Sequence, residues 1–254
     1  TVRNVAAFSS AGLDWTATTE IELGGLVTST ATVDLTAALI DVDAGITAAG
    51  QLVDLNAGAT GLTLTGAITT TGVAEGNAGA IDIDSSGGSV TLDGALVAIG
   101  GADSSTDGGH NGGAVTIDVA GSGVITFTTA DDITTSGSAA GGGNANGGNA
   151  GLVTLNTNNA AITLNDTTIT AVGGALDGSG DQGAGGAVTL SDPVTLATGT
   201  VVITTGATAG LIVFSSTLNG AQALTLTAGT GNITFTGIRS EERRVGKECR
   251  SRWS

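Results

Sequence analysis

Short runs in which aliphatic and polar residues alternate cover most of this chain, and stretches of Gly, Asn, Asp and Ser separate them. Alternation with a period of two residues predicts β-strands that bury one face. One trio of such runs reads AIDID, SVTLD and ALVAI, at Ala80–Asp84, Ser89–Asp93 and Ala95–Ile99. Similar trios recur along the chain, which indicates that one structural unit is repeated.

Four copies of one phrase mark the repeat. They are NAGAIDID from Asn77, NGGAVTID from Asn111, NAGLVTLN from Asn149 and AGGAVTLS from Ala184, spaced by 34, 38 and 35 residues. Elsewhere the trio returns at intervals of about 19 to 24 residues, without a long insertion. Self-similarity of this kind predicts a solenoid in which each unit buries its apolar face against its neighbours.

Three strands per unit, joined at corners rich in Gly, Asn and Asp, predict an all-β fold. We expect a right-handed parallel β-helix of about eight to nine three-stranded coils, which makes a rod roughly 40 Å long at ~4.8 Å per coil. A β-sandwich or a set of immunoglobulin-like domains is the alternative. It would bury more aromatic side chains than four Phe and no Tyr can supply. The inward pairs predicted for the first strand of the coils are Ile81/Ile83, Val33/Leu35, Val53/Leu55, Val115/Ile117, Val153/Leu155, Val188/Leu190 and Ile212/Phe214.

The last sixteen residues break the pattern. They read RSEERRVGKECRSRWS from Arg239, and a reverse translation of them resembles a sequencing adapter read in frame. Such a segment is left out of fold reasoning. We therefore expect a truncated coil over residues 1–12, a parallel β-helix over 13–238, and a non-native, disordered or irregular tail over 239–254 that is not a domain.

Without the tail the composition becomes strongly acidic. Six of the seven Lys and Arg residues and three of the 23 acids lie in the tail, which leaves Arg3 against 20 acids, a formal charge of −19. Such a surface repels phosphate backbones, so nucleic-acid binding is not expected. The one cysteine, Cys249, also lies in the tail, so neither a disulfide nor a cysteine zinc site is expected.

The phrases GGAVTL, ITTSGSAAGGGNANGGNAG and ALTLTAGTGNITFTG resemble the β-helical shafts of filamentous-haemagglutinin-type and autotransporter adhesins, and of related giant bacterial exoproteins. The resemblance covers roughly Leu13–Ile238. It implies a secreted or outer-surface bacterial protein that works in adhesion or surface attachment. Because the chain before residue 239 has one Arg, no Lys, no Tyr and a single His to hold a sugar beside the acids, we do not expect an enzyme. Its partners would be glycans or proteins of a host or neighbouring cell, contacted through parts outside this segment.

The chain has no methionine, and no apolar run approaches the roughly 20 residues of a membrane helix. We therefore expect a segment that starts and ends inside its gene, with further coils at both ends and no membrane insertion.

Acidic residues recur at one outward position of the first strand. Asp14, Asp34, Asp54 and Asp82 are predicted to stack on four consecutive coils, and Asn56, Asp84, Asp118 and Asn156 to stack two residues further along. Three interpretations are open: a solvated acidic face, a ladder that binds Ca²⁺ through several oxygens, or paired carboxylates that cleave polysaccharides. A solvated face predicts no cofactor. A Ca²⁺ ladder predicts a Ca²⁺-stabilised surface-layer-like protein, and paired carboxylates predict a polysaccharide-cleaving β-helix enzyme. The metal candidates are Asp14, Asp34, Asp54, Asp82, Asp84 and Asp118.

Three further features of the sequence are candidates for a functional role. Outward threonines at 63, 91, 126, 163 and 195 are predicted to stack on the second strand as a β-branched surface. The Gly-rich insertions Gly100–Gly113, Gly137–Gly151 and Gly173–Gly186 are predicted to leave from the same corner, where contacts with partners would be made. His110 lies in the first insertion, and we expect it to be exposed and without partners for metal or acid–base chemistry.

Overall fold

The computed structural model describes residues 1–106, 108–128 and 132–237. Those residues form 25 β-strands and no helix, so none of them forms a helix long and apolar enough to cross a membrane. The predicted tail, residues 239–254, lies outside the described residues. In chain order the strands are β1 (Val2–Asn4), β2 (Phe8–Ser10), β3 (Leu13–Thr16), β4 (Glu20–Leu23), β5 (Val27–Ser29), β6 (Val33–Val42), β7 (Ile46–Thr47), β8 (Val53–Leu64), β9 (Ile68–Thr69), β10 (Ile81–Ser85), β11 (Val90–Leu92), β12 (Leu96–Val97), β13 (Val115–Val119), β14 (Ile125–Phe127), β15 (Asp132–Thr134), β16 (Val153–Asn156), β17 (Ile162–Asn165), β18 (Thr168–Thr170), β19 (Val188–Leu190), β20 (Val194–Thr198), β21 (Val201–Thr204), β22 (Ile212–Phe214), β23 (Leu218–Gly220), β24 (Leu224–Thr227) and β25 (Ile233–Phe235).

Strand pairing is parallel throughout the described residues. One sheet has nine strands in the order β2-β5-β7-β9-β12-β15-β18-β21-β24. The other has sixteen strands in two series that share β6 and β8. The first series is β3-β6-β8-β10-β13-β16-β19-β22-β25, and the second is β1-β4-β6-β8-β11-β14-β17-β20-β23. The all-β, parallel class is confirmed, and it is compatible with a β-solenoid.

The aliphatic positions predicted to point inward form the core. Val33, Val53, Ile81, Val115 and their counterparts up to Ile212 in β22 are fully or almost fully buried and stand in register across the first series, whereas the last counterpart, Ile233 in β25, is exposed. β-Branched side chains suit this arrangement because they pack well on a pleated surface. The core is one continuous cluster from Leu13 to Ala228. Stacked rings lie towards both ends of it, Phe8 on Trp15 and Phe214 on Phe235, with centroids 5.7 and 5.0 Å apart.

The sequence predicts separate first and second strands in every unit, but β6 and β8 each continue from the first series into the second. At this corner small residues stand where later units have a Gly-rich break between the two strands. The pairing of β6 with β8 therefore continues around the corner, with a register shift between Ala37 and Leu39. A Cβ on Gly58 would lie 2.8 Å from the Cα of Ala38. The two backbones therefore approach so closely that glycine is needed at position 58.

Candidate functional site

The first series carries the predicted row of aspartates, here called the acidic ladder: Asp14, Asp34, Asp54 and Asp82. Asp14 pairs with Asp34, Asp34 with Asp54, and Asp54 with Asp82, each on neighbouring parallel strands. Strands alternate their side chains between faces, so Val53 and Leu55 enter the core while Asp54 faces outward. The next strand, β13, has a threonine at the matching position, and the ladder ends there.

A second row lies two residues further along the same strands, as predicted. Asn56 pairs with Asp84, Asp84 with Asp118, and Asp118 with Asn156. The amides bridge to the carboxylates: the Asn56 Nδ2 donates to the Asp54 Oδ1 at 2.8 Å, and the Asn156 Nδ2 donates to the Asp118 Oδ1 at 2.9 Å. The amides therefore supply donors to two of the carboxylates.

The negative charges of the two rows repel one another. Desolvation, followed by the charges of Asp34 and Asp82, raises the pKa of Asp54. Desolvation is also the main cause of the raised pKa of Asp82 and of Asp84, with repulsion from Asp118 contributing to both. Like charges one strand spacing apart disfavour ionisation. Asp54, Asp82 and Asp84 therefore bind protons more readily than isolated aspartates do.

The rows do not gather three ligands around one point. In the described part of the chain, a different group meets this condition: one ligand atom each from Glu75, Asp103 and His110 lies within 4.8 Å of the others. A cation on the rows would be held by neighbouring pairs of oxygens together with water, an arrangement that Ca²⁺ accepts because its coordination is flexible.

A groove of about 570 Å³ runs beside the second row, at the corner between the first and second series. Its lining includes Asp84 and Asp118 together with small residues such as Ala37, Ala57 and Gly58. It is the concave surface that adjoins the predicted aspartates.

A second acidic cluster, which the sequence did not single out, lies on β4 and β6. Glu22 pairs in register with Asp41 and accepts a 2.7 Å salt bridge from Arg3, on β1. The Asp41 Oδ1 is shielded from solvent and has no hydrogen-bond partner. Burial, then the charges of Asp43, Glu22 and Glu20, raises the pKa of Asp41. The outward alternation of EIEL and LIDV was the signal that could have revealed this cluster.

The predicted threonine row is present on the second series. Its members are in register from strand to strand: Thr63, Thr91, Thr126, Thr163 and Thr195. The companion position two residues on changes from Thr65 to Asp93 to Thr128, so that no flat double row of threonines forms.

The three Gly-rich insertions each lie between a strand of the nine-stranded sheet and the next strand of the first series, as predicted. Their backbones stack on one another, which the sequence did not reveal. The N–H of Ser138 donates to the carbonyl of His110, and the N–H of Gly147 donates to the carbonyl of Asp181, both at 2.9 Å. The Thr135 hydroxyl closes the neck of one insertion by donating to the Gly151 carbonyl at 2.8 Å.

His110 is only partly exposed and has acidic neighbours, so the prediction that it is exposed and without partners is wrong. Its Nε2 lies 3.5 Å from the Glu75 Oε2, and Asp103 completes the group of three described above. Glu75 belongs to the corner of the preceding unit, 35 residues earlier. Stacking of the insertions brings these residues together, so the sequence of one insertion alone does not predict the contact.

No protein-family model, curated protein or solved structure matches this chain. The fold and the outward rows define it as an all-β repeat protein with parallel sheets.

Proposed function

We propose that this chain is a shaft segment of a large bacterial adhesin or exoprotein, secreted or held at the outer cell surface, and that it is not an enzyme. The shaft is a right-handed parallel β-helix of about eight to nine three-stranded coils. Its task is to hold binding parts at a distance from the cell. Its partners would be surface glycans or proteins of a host or neighbouring cell, contacted through other parts of the longer protein.

The observation that carries this proposal is the unbroken register of the first series. Parallel pairing runs from β3 to β25, and the inward pairs along it are apolar and buried from Val33/Leu35 in β6 to Ile212/Phe214 in β22. Each unit contacts mainly its neighbours, so the stack can be extended indefinitely and works as a spacer. A rod of this kind needs no pocket to perform its task.

The surface supports the same proposal. Up to residue 238 there are 20 acids against one Lys or Arg, and this charge keeps neighbouring rods apart. The stacked insertions leave one corner as low, Gly-rich ridges with few aromatic or charged side chains. Strong binding hot spots are usually built from Trp, Tyr and Arg, so these ridges suit spacing better than tight recognition.

Localisation gives the direct test. Antibodies raised against the full chain should label the outer surface of intact bacteria that carry the gene, or their culture medium. Labelling that appears only after the cells are opened would contradict the proposal. A strain that lacks the gene is the control for antibody specificity.

A polysaccharide-cleaving enzyme is the competing hypothesis, and the groove beside Asp84 and Asp118 is the observation that favours it. Against it, the first 238 residues contain Arg3 and His110 as their only basic side chains to hold an acidic sugar. The full chain should release no reducing ends from acidic or neutral glycans. Turnover that disappears in Asp54→Asn or Asp84→Asn, and persists in Asp181→Asn, would establish the enzyme and reject the shaft.

A Ca²⁺-stabilised surface-layer-like protein is the other alternative, favoured by the raised pKa values of Asp54, Asp82 and Asp84. It predicts that Ca²⁺ raises the melting temperature and that a chelator lowers it, with both effects reduced in Asp54→Asn. An unchanged melting temperature would leave the acidic ladder as a solvated face.

A further inference from the structure

The loop cluster around His110 brings together a donor set that the shaft proposal does not use. One ligand atom each from Glu75, Asp103 and His110 lies within 4.8 Å of the others. Glu75 comes from the corner between β9 and β10, and the other two come from the insertion between β12 and β13. The three side chains therefore join two successive units of the stack.

The separation of the donors suits a shared metal ion better than a direct contact. The His110 Nε2 and the Glu75 Oε2 lie 3.5 Å apart, at the limit for a hydrogen bond. Two ligands of a tetrahedral Zn²⁺, with bonds of about 2.0–2.1 Å, are separated by roughly 3.4 Å. The two atoms thus already stand at the distance that a common ion requires.

Neighbouring groups hold both carboxylates in place. The Glu75 Oε1 accepts from the Ser104 N–H at 2.7 Å and from its hydroxyl at 2.6 Å, which leaves Oε2 directed to His110. Asp103 accepts from the N–H groups of Ser105 and Gly141, each at 2.8 Å. Outer partners of this kind orient metal ligands and are part of most metal sites.

The same contacts keep both acids ionised. Hydrogen bonds from Ser104 lower the pKa of Glu75. The N–H of Gly141, with further donors from Ser105, lowers the pKa of Asp103 to about 2. Arg3, the one Lys or Arg among the described residues, is engaged with Glu22. Two carboxylates therefore face one imidazole.

We propose that Glu75, Asp103 and His110 bind one divalent transition-metal ion of the zinc type, and that this ion clamps two successive corner loops. One imidazole and two carboxylates suit Zn²⁺, Co²⁺ or Ni²⁺, whereas the all-oxygen ladder suits Ca²⁺. The remaining coordination positions are filled by water. The ion stabilises the folded stack because it binds the two loops only when they are aligned.

The chain offers a clean readout, because His110 is its only histidine. The full chain is prepared without a polyhistidine tag and with Cys249→Ser, since a cysteine in the tail could itself bind Zn²⁺. NMR follows the imidazole signals during titration with Zn²⁺ in excess Ca²⁺, and calorimetry measures the stoichiometry. We expect saturation at one ion per chain, a shift of the imidazole signals and a higher melting temperature.

Two variants and one control decide the result. His110→Gln and Glu75→Gln should each weaken Zn²⁺ binding by about tenfold or more. Asp181→Asn, which removes an acid from a different insertion, should bind as the parent does. Melting curves without metal confirm that the variants are folded. Absence of saturable binding, or equal affinity in His110→Gln and the parent, would overturn the proposal.

Discussion

Asp54 and Asp82 are partners on the neighbouring strands β8 and β10, so two carboxylates stand one strand spacing apart on the outer face of the sheet. Asp34 lies on the other side of Asp54 and adds a third charge. Partial burial, with repulsion from these neighbours, raises the pKa of Asp54 above its ordinary value of 3.8. The folded chain therefore keeps this proton at a pH at which the unfolded chain has lost it.

This shift fixes how stability depends on pH. Below pH 3.8 the carboxyl is protonated in both states and adds no penalty. As the pH rises through the raised pKa of the folded state, folding forces a charge into the ladder, and stability falls. Asp54→Asn should therefore stabilise the fold at pH 7 by about 0.5 kcal/mol, because the pair is largely solvated.

Thermal melting at pH 7 and below pH 3.8 tests this prediction. Asparagine keeps an oxygen that can accept from Asn56, so the comparison isolates the charge. Asp181→Asn is the matched control and should leave the melting temperature unchanged. A lower melting temperature for Asp54→Asn at pH 7 would show that the ladder is held by a favourable interaction, such as a bound cation.

Glycines at the necks of the insertions make a second prediction. A Cβ on Gly113 would lie 1.9 Å from the carbonyl oxygen of Gly79, a backbone atom that cannot move without disturbing the stack. We expect Gly113→Ala to cost about 1–3 kcal/mol of unfolding free energy, measured by denaturant titration. At Gly142 the nearest atom to a new Cβ is the Ser105 carbonyl oxygen at 4.0 Å. Gly142→Ala should therefore change stability by less than about 0.5 kcal/mol, and equal losses at both positions would refute the stacking.

The asparagine that opens the repeated phrase makes a third prediction. The Asn111 Oδ1 accepts from the N–H of Asn149 at 2.8 Å, and the N–H of Asn111 donates to the Asn77 Oδ1 at the same distance. Asn111→Ala removes the acceptor for Asn149 and should cost about 0.5–1 kcal/mol. Asn111→Asp keeps an acceptor oxygen and should retain most of the stability. Thermal melting decides, and a larger loss for the aspartate would contradict this role.

The register of the first series could be predicted because the repeated phrase fixes it. Once NGGAVTID and NAGLVTLN are aligned, Val115 must stand beside Val153, and the alternation sends both into the core. Aligning the upstream run LVDLN with AIDID in the same way places Asp54 beside Asp82. Strand type and outward rows follow from local alternation, which is visible in the sequence.

The contacts between insertions could not be predicted in the same way. The interiors of the insertions lack the aliphatic and polar alternation that aligns the strands, and their stacking depends on main-chain hydrogen bonds. One signal was present: Glu75 and His110 each lie within two residues before a repeated asparagine, Asn77 and Asn111. The continuous strand β6 was missed for a different reason, since the small residues at its corner give no clear strand or turn signal.

In the proposed stack each turn rises by one strand spacing, and distances between spin labels measure that rise directly. Thr28, Thr134 and Thr204 occupy one outward row of the nine-stranded sheet, with Thr134 four strands and Thr204 six strands along from Thr28. In a Cys249→Ser background, cysteine pairs at 28/134 and 28/204 should give backbone separations of ~19 and ~29 Å, at ~4.8 Å per strand. Narrow distance distributions that increase by this step would support the stacked shaft. Equal distances for the two pairs, or distances that do not increase with the number of strands, would contradict it.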